Sequence, residues 1–217
     1  MGIKAVCFDV GETLVDETRL WNGWAAYLGV SGSIFRSALD EIIERNQHHG
    51  AIFDYFKPGF DLEAARRERA ASGDRDIFNA SDLYPDSLPC LNSLRQLGYK
   101  VGIAGNQPRD AEMALRECGF DVDFIASSAS WGCQKPSLEF FERLIEAANS
   151  PAFEIAYVGD RLDNDVLPAV KAGLTAVFVR RGPWGRVHAK RAEMVRAHVA
   201  VDALAEIPEA LANLALR

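Results

Sequence analysis

The stretch Lys4 to Asp16, KAVCFDVGETLVD, decides how this chain folds. Its apolar run Ala5-Val6-Cys7-Phe8 stops abruptly on an acid, Asp9. An unbroken apolar run without polar alternation suits a strand buried on both faces, the central position of a parallel sheet. In open α/β sheets the carboxyl ends of the strands face the ligand crevice, so a carboxylate released there meets substrate rather than core. Gly11 lets the backbone turn tightly beside a ligand, and Thr13 can fix the loop through its hydroxyl. Strand, acid and loop read either as an active centre or as a turn capped by Asp9, and the rest of the chain must decide.

With 217 residues, 48% of them hydrophobic, the chain can bury one substantial core and carry a smaller appended domain. The formal charge of −7 argues against a nucleic-acid partner, and the basic clusters, Arg66-Arg67 with Arg69 and Arg180-Arg181, are short and read as solvated charge. Cys7, Cys90, Cys118 and Cys133 show no metal-ligand spacing and read as reduced thiols. No apolar run approaches the roughly 18 residues of a membrane span, and the N-terminus lacks a secretion profile. The expectation is a cytoplasmic protein with no membrane partner.

From about Thr18 to Tyr84 the pattern is helical. Trp21, Trp24, Ala25 and Leu28 share a face, and Gly29 ends that helix. Ser31 or Ser33 caps a second, with Phe35, Leu39, Ile42 and Ile43 as its stripe. Lys57-Pro58-Gly59 marks a turn before Asp61 caps a charged run. With no strand candidate, residues 16–84 are predicted to form an inserted helical cap, and 1–15 with 85–217 the α/β core. Trp21 and Trp24 read as cap core. His48 and His49, adjacent at a helix end, do not converge on one ion.

Beyond Tyr84-Pro85, helices and apolar runs alternate: a helix from Ser87, a strand Val101–Ala104, a helix Arg109–Cys118, a strand Val122–Ile125, a helix Leu138–Ala148 and strands at Ile155–Val158 and Ala176–Val179. Val199 to Asp202 is a final short strand and Ala203 to Leu216 a closing helix. Gly105 and Asn106, between strand and helix, can cradle an anion with backbone N–H groups. Lys135, ahead of Pro136 and a helix start, is a point charge aimed from a rigid place. Asp160 stands at a second strand tip, and Asp165 follows where a helix begins. Carboxylates crowded at neighbouring tips repel unless one is protonated or a cation lies between them, and a hard divalent ion such as Mg²⁺ resolves the conflict. Asp163 faces solvent or caps the helix. Arg180, Arg181 and Trp184 share that edge and brace a loop rather than act chemically.

In order, FDVGETL, GIAGN, QKP and VGDRLDND resemble the four motifs of the haloacid dehalogenase superfamily across essentially the whole chain. The resemblance implies a doubly wound, Rossmann-like parallel core and a helical cap of the C1 type that closes over small substrates. It implies that Asp9 is a nucleophile forming an aspartyl-phosphate, with Mg²⁺ held by Asp9, the Gly11 carbonyl, Asp160 and Asp165. Lys135 would bind the transferring phosphoryl group and the nucleophile, and Gly105 and Asn106 the phosphate. The chain departs from the family's phosphatases twice. Gly11 stands where they carry an acid/base aspartate, whose absence lowers the rate by about 10²–10⁴ for a poor leaving group. Gly105 replaces a hydroxyl residue. Glu12, Asp16 or Glu17 can supply the acid/base, Glu12 being nearest in sequence; alternatively the substrate is an acyl or aryl phosphate whose leaving group needs no proton. The expected function is a Mg²⁺-dependent phosphatase for a small phosphorylated metabolite. Two alternatives stand beside it: a weak or inactive protein that binds a phosphorylated ligand or partner, and a phosphonatase using the cap's lysine, Lys57. Paired Asp160 and Asp165 argue against a metal-free dehalogenase.

Overall fold

The first strand, β1 (Ala5–Phe8), is buried along its whole length. In the computed structural model, which describes residues 2–74 and 76–215, it lies inside a six-stranded sheet. The others are β2 (Lys100–Gly105), β3 (Phe124–Ser127), β4 (Ile155–Gly159), β5 (Thr175–Val179) and β6 (Val199–Val201). All pair in parallel, in the order β3-β2-β1-β4-β5-β6. The chain winds outward from β1 in both directions, so the order reverses between β1 and β4. That reversal opens a crevice at the carboxyl ends of these two strands. The fold is the doubly wound α/β arrangement expected.

The chain divides into two compact units, Met1–Asp16 with Asn79–Arg217 and, separately, Glu17–Phe78. The second contains α1 (Thr18–Tyr27), α2 (Gly32–Glu44), α3 (Ala51–Phe56) and α4 (Leu62–Ala71), with no strand among the described residues. Ser31 accepts the Ile34 N–H and Asp61 the Ala64 N–H, so α2 and α4 begin at side-chain caps. Trp24 is buried with its ring edge-on to Phe53, 4.9 Å between centroids, while Trp21 is half-buried beside Phe35. Arg69 corrects the sequence reading. It is not solvated: its guanidinium lies over the Trp24 ring at 4.0 Å, with Nε donating to Asp74 at 3.0 Å and Nη1 to Asp76 at 3.4 Å. It shares a buried face with Ala65, one turn earlier, and its apolar stem and paired head allow it to stay there.

Residues 79–84, expected in the insertion, belong to the sheet unit. The reason is backbone pairing: Asp16 N–H donates to Asp82 at 2.7 Å, Tyr84 N–H to Leu14 at 3.0 Å, and Val15 bridges Leu83 antiparallel. The remaining helices of this unit are α5 (Ser87–Gln96), α6 (Asp110–Glu117), α7 (Ser128–Trp131), α8 (Leu138–Ala148), α9 (Leu167–Lys171), α10 (Gly182–His188) and α11 (Ile207–Ala215). A 3₁₀ turn at Leu204–Glu206 precedes α11, so the closing helix starts later than expected; Leu216 lies outside the described residues. No described helix is long and apolar enough to cross a membrane.

On one face of the sheet, Phe140 and Phe141 of α8 pack with Tyr157 of β4 in a cluster that includes Leu144, Leu162 and Phe178. The buried Tyr157 hydroxyl donates to the Ala104 carbonyl at 2.8 Å, tying β4 to β2 across β1. Tyr157→Phe leaves that carbonyl without its donor and is expected to lower unfolding free energy by about 1–2 kcal/mol. Urea denaturation checks this, and wild-type stability would contradict it.

His188, at the end of α10, is buried and accepts the Leu162 N–H on Nδ1 at 3.0 Å, with Asp163 Oδ1 4.0 Å from the same nitrogen. Burial pushes its pKa down from 6.5 to about 4, against the pull of Asp163. Between those values the unfolded chain takes up a proton that the folded chain refuses, so this residue's effect is to lower stability as pH falls from 6.5 toward 4 and to do nothing above. Thermal unfolding of His188→Gln should therefore depend less steeply on pH across that window than the wild type. Parallel profiles would contradict the assignment.

Candidate active site

The site begins where β1 ends. Asp9 N–H donates to Val158 at 2.9 Å, continuing the pairing with β4 by one residue and holding the acid at the mouth of the crevice. The loop then folds on itself: Leu14 and Val15 N–H donate to Val10 at 2.9 and 3.0 Å, and Glu12 N–H to Val15 at 2.7 Å. Glu12 takes a left-handed φ of 53°. The residue is 3% exposed, and its Oε2 accepts the Tyr84 hydroxyl at 2.7 Å.

At the tip of β4, Asp160 follows Gly159, and a π-helical turn, Leu162–Val166, carries Asp165 back toward the strand. Asp165 Oδ2 accepts the Arg161 N–H at 2.9 Å. A Cβ at residue 159 would lie 2.3 Å from the Asp165 carboxylate, so this close approach requires glycine. On the other side of β1, a Cβ at Gly105 would lie 2.5 Å from Asp9 Oδ1. The Asp9 carboxylate occupies the space that a larger residue would claim.

Lys135 joins the two acids. Its Nζ lies 2.7 Å from Asp9 Oδ1 and 2.6 Å from Asp165 Oδ1. The rings of Tyr157 and Phe140 stand 5.4 and 5.9 Å from the ammonium. Although burial opposes the charge, Asp165 and Asp9 hold its pKa above the ordinary lysine value. Its backbone is pinned by Asn106, whose Oδ1 accepts Lys135 N–H at 2.8 Å and whose Nδ2 donates to the Lys135 carbonyl at 2.9 Å. The Asn106 amide thus bonds both backbone polar groups of Lys135.

One ammonium faces three carboxylates. Asp9, Asp160 and Asp165 each offer an oxygen within 4.8 Å of the others, and all three are buried. Burial, then Asp165 and Asp9, push the Asp160 carboxyl well above its usual range. Asp165 rises to about 6 through burial, against the pull of Lys135. Asp160 Oδ2 is buried without a hydrogen-bond partner. An all-oxygen donor set with an orphaned carboxylate oxygen fits a hard divalent cation.

The surrounding residues take structural parts. Arg161 grips the outward-facing Asp163 with Nε at 3.1 Å and Nη2 at 2.6 Å, and lies over Trp184 at 4.9 Å. Arg180 pairs with Asp202. Arg181 donates to the Thr13 carbonyl at 3.2 Å, pairs with Asp86 and stacks on Tyr84 at 4.4 Å, the bracing part expected of it. In the separate helical unit, Lys57 Nζ lies 5.7 Å from the Phe60 ring centre, and His48 Nδ1 accepts the Gly50 N–H. Tyr84 and the pinning role of Asn106 escape a local reading, because their partners lie 72 and 29 residues away.

A family model described as haloacid dehalogenase-like hydrolase matches residues 3–173, which include Asp9, Lys135, Asp160 and Asp165. The chain belongs to that hydrolase family. Among curated relatives of this haloacid dehalogenase-like chain, the glyceraldehyde 3-phosphate phosphatase of Pyrococcus abyssi is 30% identical over 198 residues, 83% of this chain and 82% of the relative. That of Methanopyrus kandleri is 29% identical over 201 residues, 84% of this chain and 86% of the relative. Among solved structures, an HAD phosphatase from Thermococcus onnurineus superposes with a TM-score of 0.61 at 25% identity, covering 96% of this chain and 98% of its own.

Asn106→Ala removes both bonds that fix the Lys135 backbone. It is expected to lower unfolding free energy by about 1–3 kcal/mol and, by displacing the ammonium from Asp9 and Asp165, hydrolase turnover by at least about tenfold. A variant with wild-type turnover and stability would show that Lys135 needs no such support.

Proposed function

We propose that the chain is a Mg²⁺-dependent phosphatase for a small phosphorylated metabolite, acting through an aspartyl-phosphate on Asp9. The observation that carries this reading is the Lys135 ammonium held between Asp9 and Asp165 while Asp160 keeps an orphaned oxygen. The similarity to phosphatases named for glyceraldehyde 3-phosphate supports a small anionic substrate.

In this reading an Asp9 carboxylate oxygen attacks phosphorus as the bond to the leaving oxygen breaks, and the leaving group departs with that electron pair. Lys135 orients Asp9 and offsets charge on the phosphoryl oxygens. Backbone N–H groups around Gly105 and Asn106 provide further donors for them. Asp9, Asp160, Asp165 and the Gly11 carbonyl would hold Mg²⁺, whose charge adds to that of Lys135. Water then attacks phosphorus, the Asp9 oxygen–phosphorus bond breaks and the carboxylate is restored, with a proton passing to solvent. The helical unit, residues 17–78, acts as a cap that selects substrate. The chain's free cysteines, Cys7, Cys90, Cys118 and Cys133, suit a reducing compartment such as the cytoplasm.

Gly11 has no side chain to protonate the leaving oxygen, and the Glu12 carboxylate is engaged with Tyr84. With Asp16 and Glu17 likewise given no proton transfer, the leaving group departs unassisted in this reading, which favours aryl and acyl phosphates over alkyl esters by about 10²–10⁴. The test is phosphate release from a panel of all three classes, with and without Mg²⁺. Turnover that requires Mg²⁺, vanishes in Asp9→Asn and favours aryl or acyl substrates is expected. Silence from folded protein across the panel, or turnover that survives Asp9→Asn, would contradict the proposal.

A further inference from the structure

We infer that Tyr84 is a positioning residue for the cation: by holding Glu12 in its left-handed turn, it fixes the peptide that carries the Gly11 carbonyl, which the proposed function gives to the cation. This rests on reading Asp9, Asp160 and Asp165 as a cation site.

The orientation of the peptide between Gly11 and Glu12, and so of the Gly11 carbonyl, is set by ψ of residue 11 and φ of residue 12. At Glu12 that φ is 53°, a region L side chains resist and glycine enters freely. Something must hold a non-glycine residue there. The side chain is held from two segments distant in sequence, one around Tyr84 and one around Gly182. Tyr84 donates its hydroxyl to Oε2 at 2.7 Å. Gly182, itself at φ 59°, backs the carboxylate so closely that a Cβ there would lie 2.5 Å from Oε2 and 2.6 Å from Cδ. Arg181 lies 4.4 Å over the Tyr84 ring and donates to the Thr13 carbonyl at 3.2 Å, clamping the tyrosine against the same loop. Asp86 anchors Arg181 and also accepts the Leu204 N–H at 2.9 Å. Burial and the Glu12 charge push the Tyr84 phenol up, so it remains a donor at neutral pH. All of these groups lie in the sheet unit. The arrangement places a buried carboxylate near the cluster of Asp9, Asp160 and Asp165 without giving it a chemical step, and its geometric effect falls on the adjoining peptide.

The test is Mg²⁺ affinity by isothermal titration calorimetry, a readout independent of turnover. Tyr84→Phe leaves the buried Glu12 carboxylate without its hydroxyl donor and is expected to weaken Mg²⁺ binding by about tenfold or more. Glu12→Gln keeps an acceptor oxygen and should stay within about threefold of wild type. In the double variant Tyr84→Phe with Glu12→Gly, glycine takes the left-handed turn unaided, and affinity should return to within about threefold. Gly182→Ala, whose methyl would displace the Glu12 side chain, should weaken binding as Tyr84→Phe does, which keeps the test open if Tyr84→Phe fails to fold. Unchanged affinity in folded Tyr84→Phe would overturn the inference. So would a loss in Glu12→Gln as large as that in Tyr84→Phe, since charge rather than geometry would then be responsible, or a double variant that fails to recover. Wild-type protein that binds no Mg²⁺ would instead overturn the cation reading, and this inference with it.

Discussion

The ammonium of Lys135, held between Asp9 and Asp165, is the contact on which the rest of the site depends. Its partners stand at the end of β1 and in the turn that follows β4, the neighbouring strands at which the sheet's order reverses. A doubly wound sheet brings strand tips from distant parts of the chain to one crevice, and acids placed there are both buried and adjacent. Without a cation at their centre, the two acids would repel across a low-dielectric space.

Glycine and amide chemistry make this crowding possible. The absent side chains of Gly159 and Gly105 leave room for Asp165 and Asp9, respectively. Asn106 pairs with both backbone polar groups of Lys135, so the ammonium is aimed by its own main chain as well as by its acids. Even so, one positive charge is matched against three carboxylates, and Asp160 carries the imbalance in its raised pKa and orphaned oxygen. The oxygen donors fit a further, divalent cation, and in the proposed mechanism the absent side chain at Gly11 leaves a poor leaving group unassisted.

Much of this was legible in the sequence, for local reasons. Asp9 and Asp160 each terminate an apolar run, and Lys135 precedes a helix start, so position along the chain already placed them at the sheet's carboxyl edge. What stayed hidden depends on contacts made at long range. The charged pattern of α4 gave no sign that Arg69 lies buried on Trp24, because its partners Asp74 and Asp76 follow the helix end. Residues 79–84 carry no strand pattern, yet they pair with the loop after β1 and so belong to the sheet unit. The partnership of Glu12 with Tyr84, 72 residues on, was likewise invisible, and the side chain expected as an acid/base is found in a buried hydrogen bond.

The charge imbalance can be tested directly by thermal unfolding of the wild type and Asp160→Asn, each with and without Mg²⁺. Because burial and its neighbours raise the Asp160 pKa, folding is opposed by that group at neutral pH when no cation is bound. The account predicts that Asp160→Asn is more stable than the wild type in chelator, and that Mg²⁺ raises the melting temperature of the wild type but not of the variant. Equal Mg²⁺ shifts in both proteins, or a variant less stable than wild type in chelator, would contradict it.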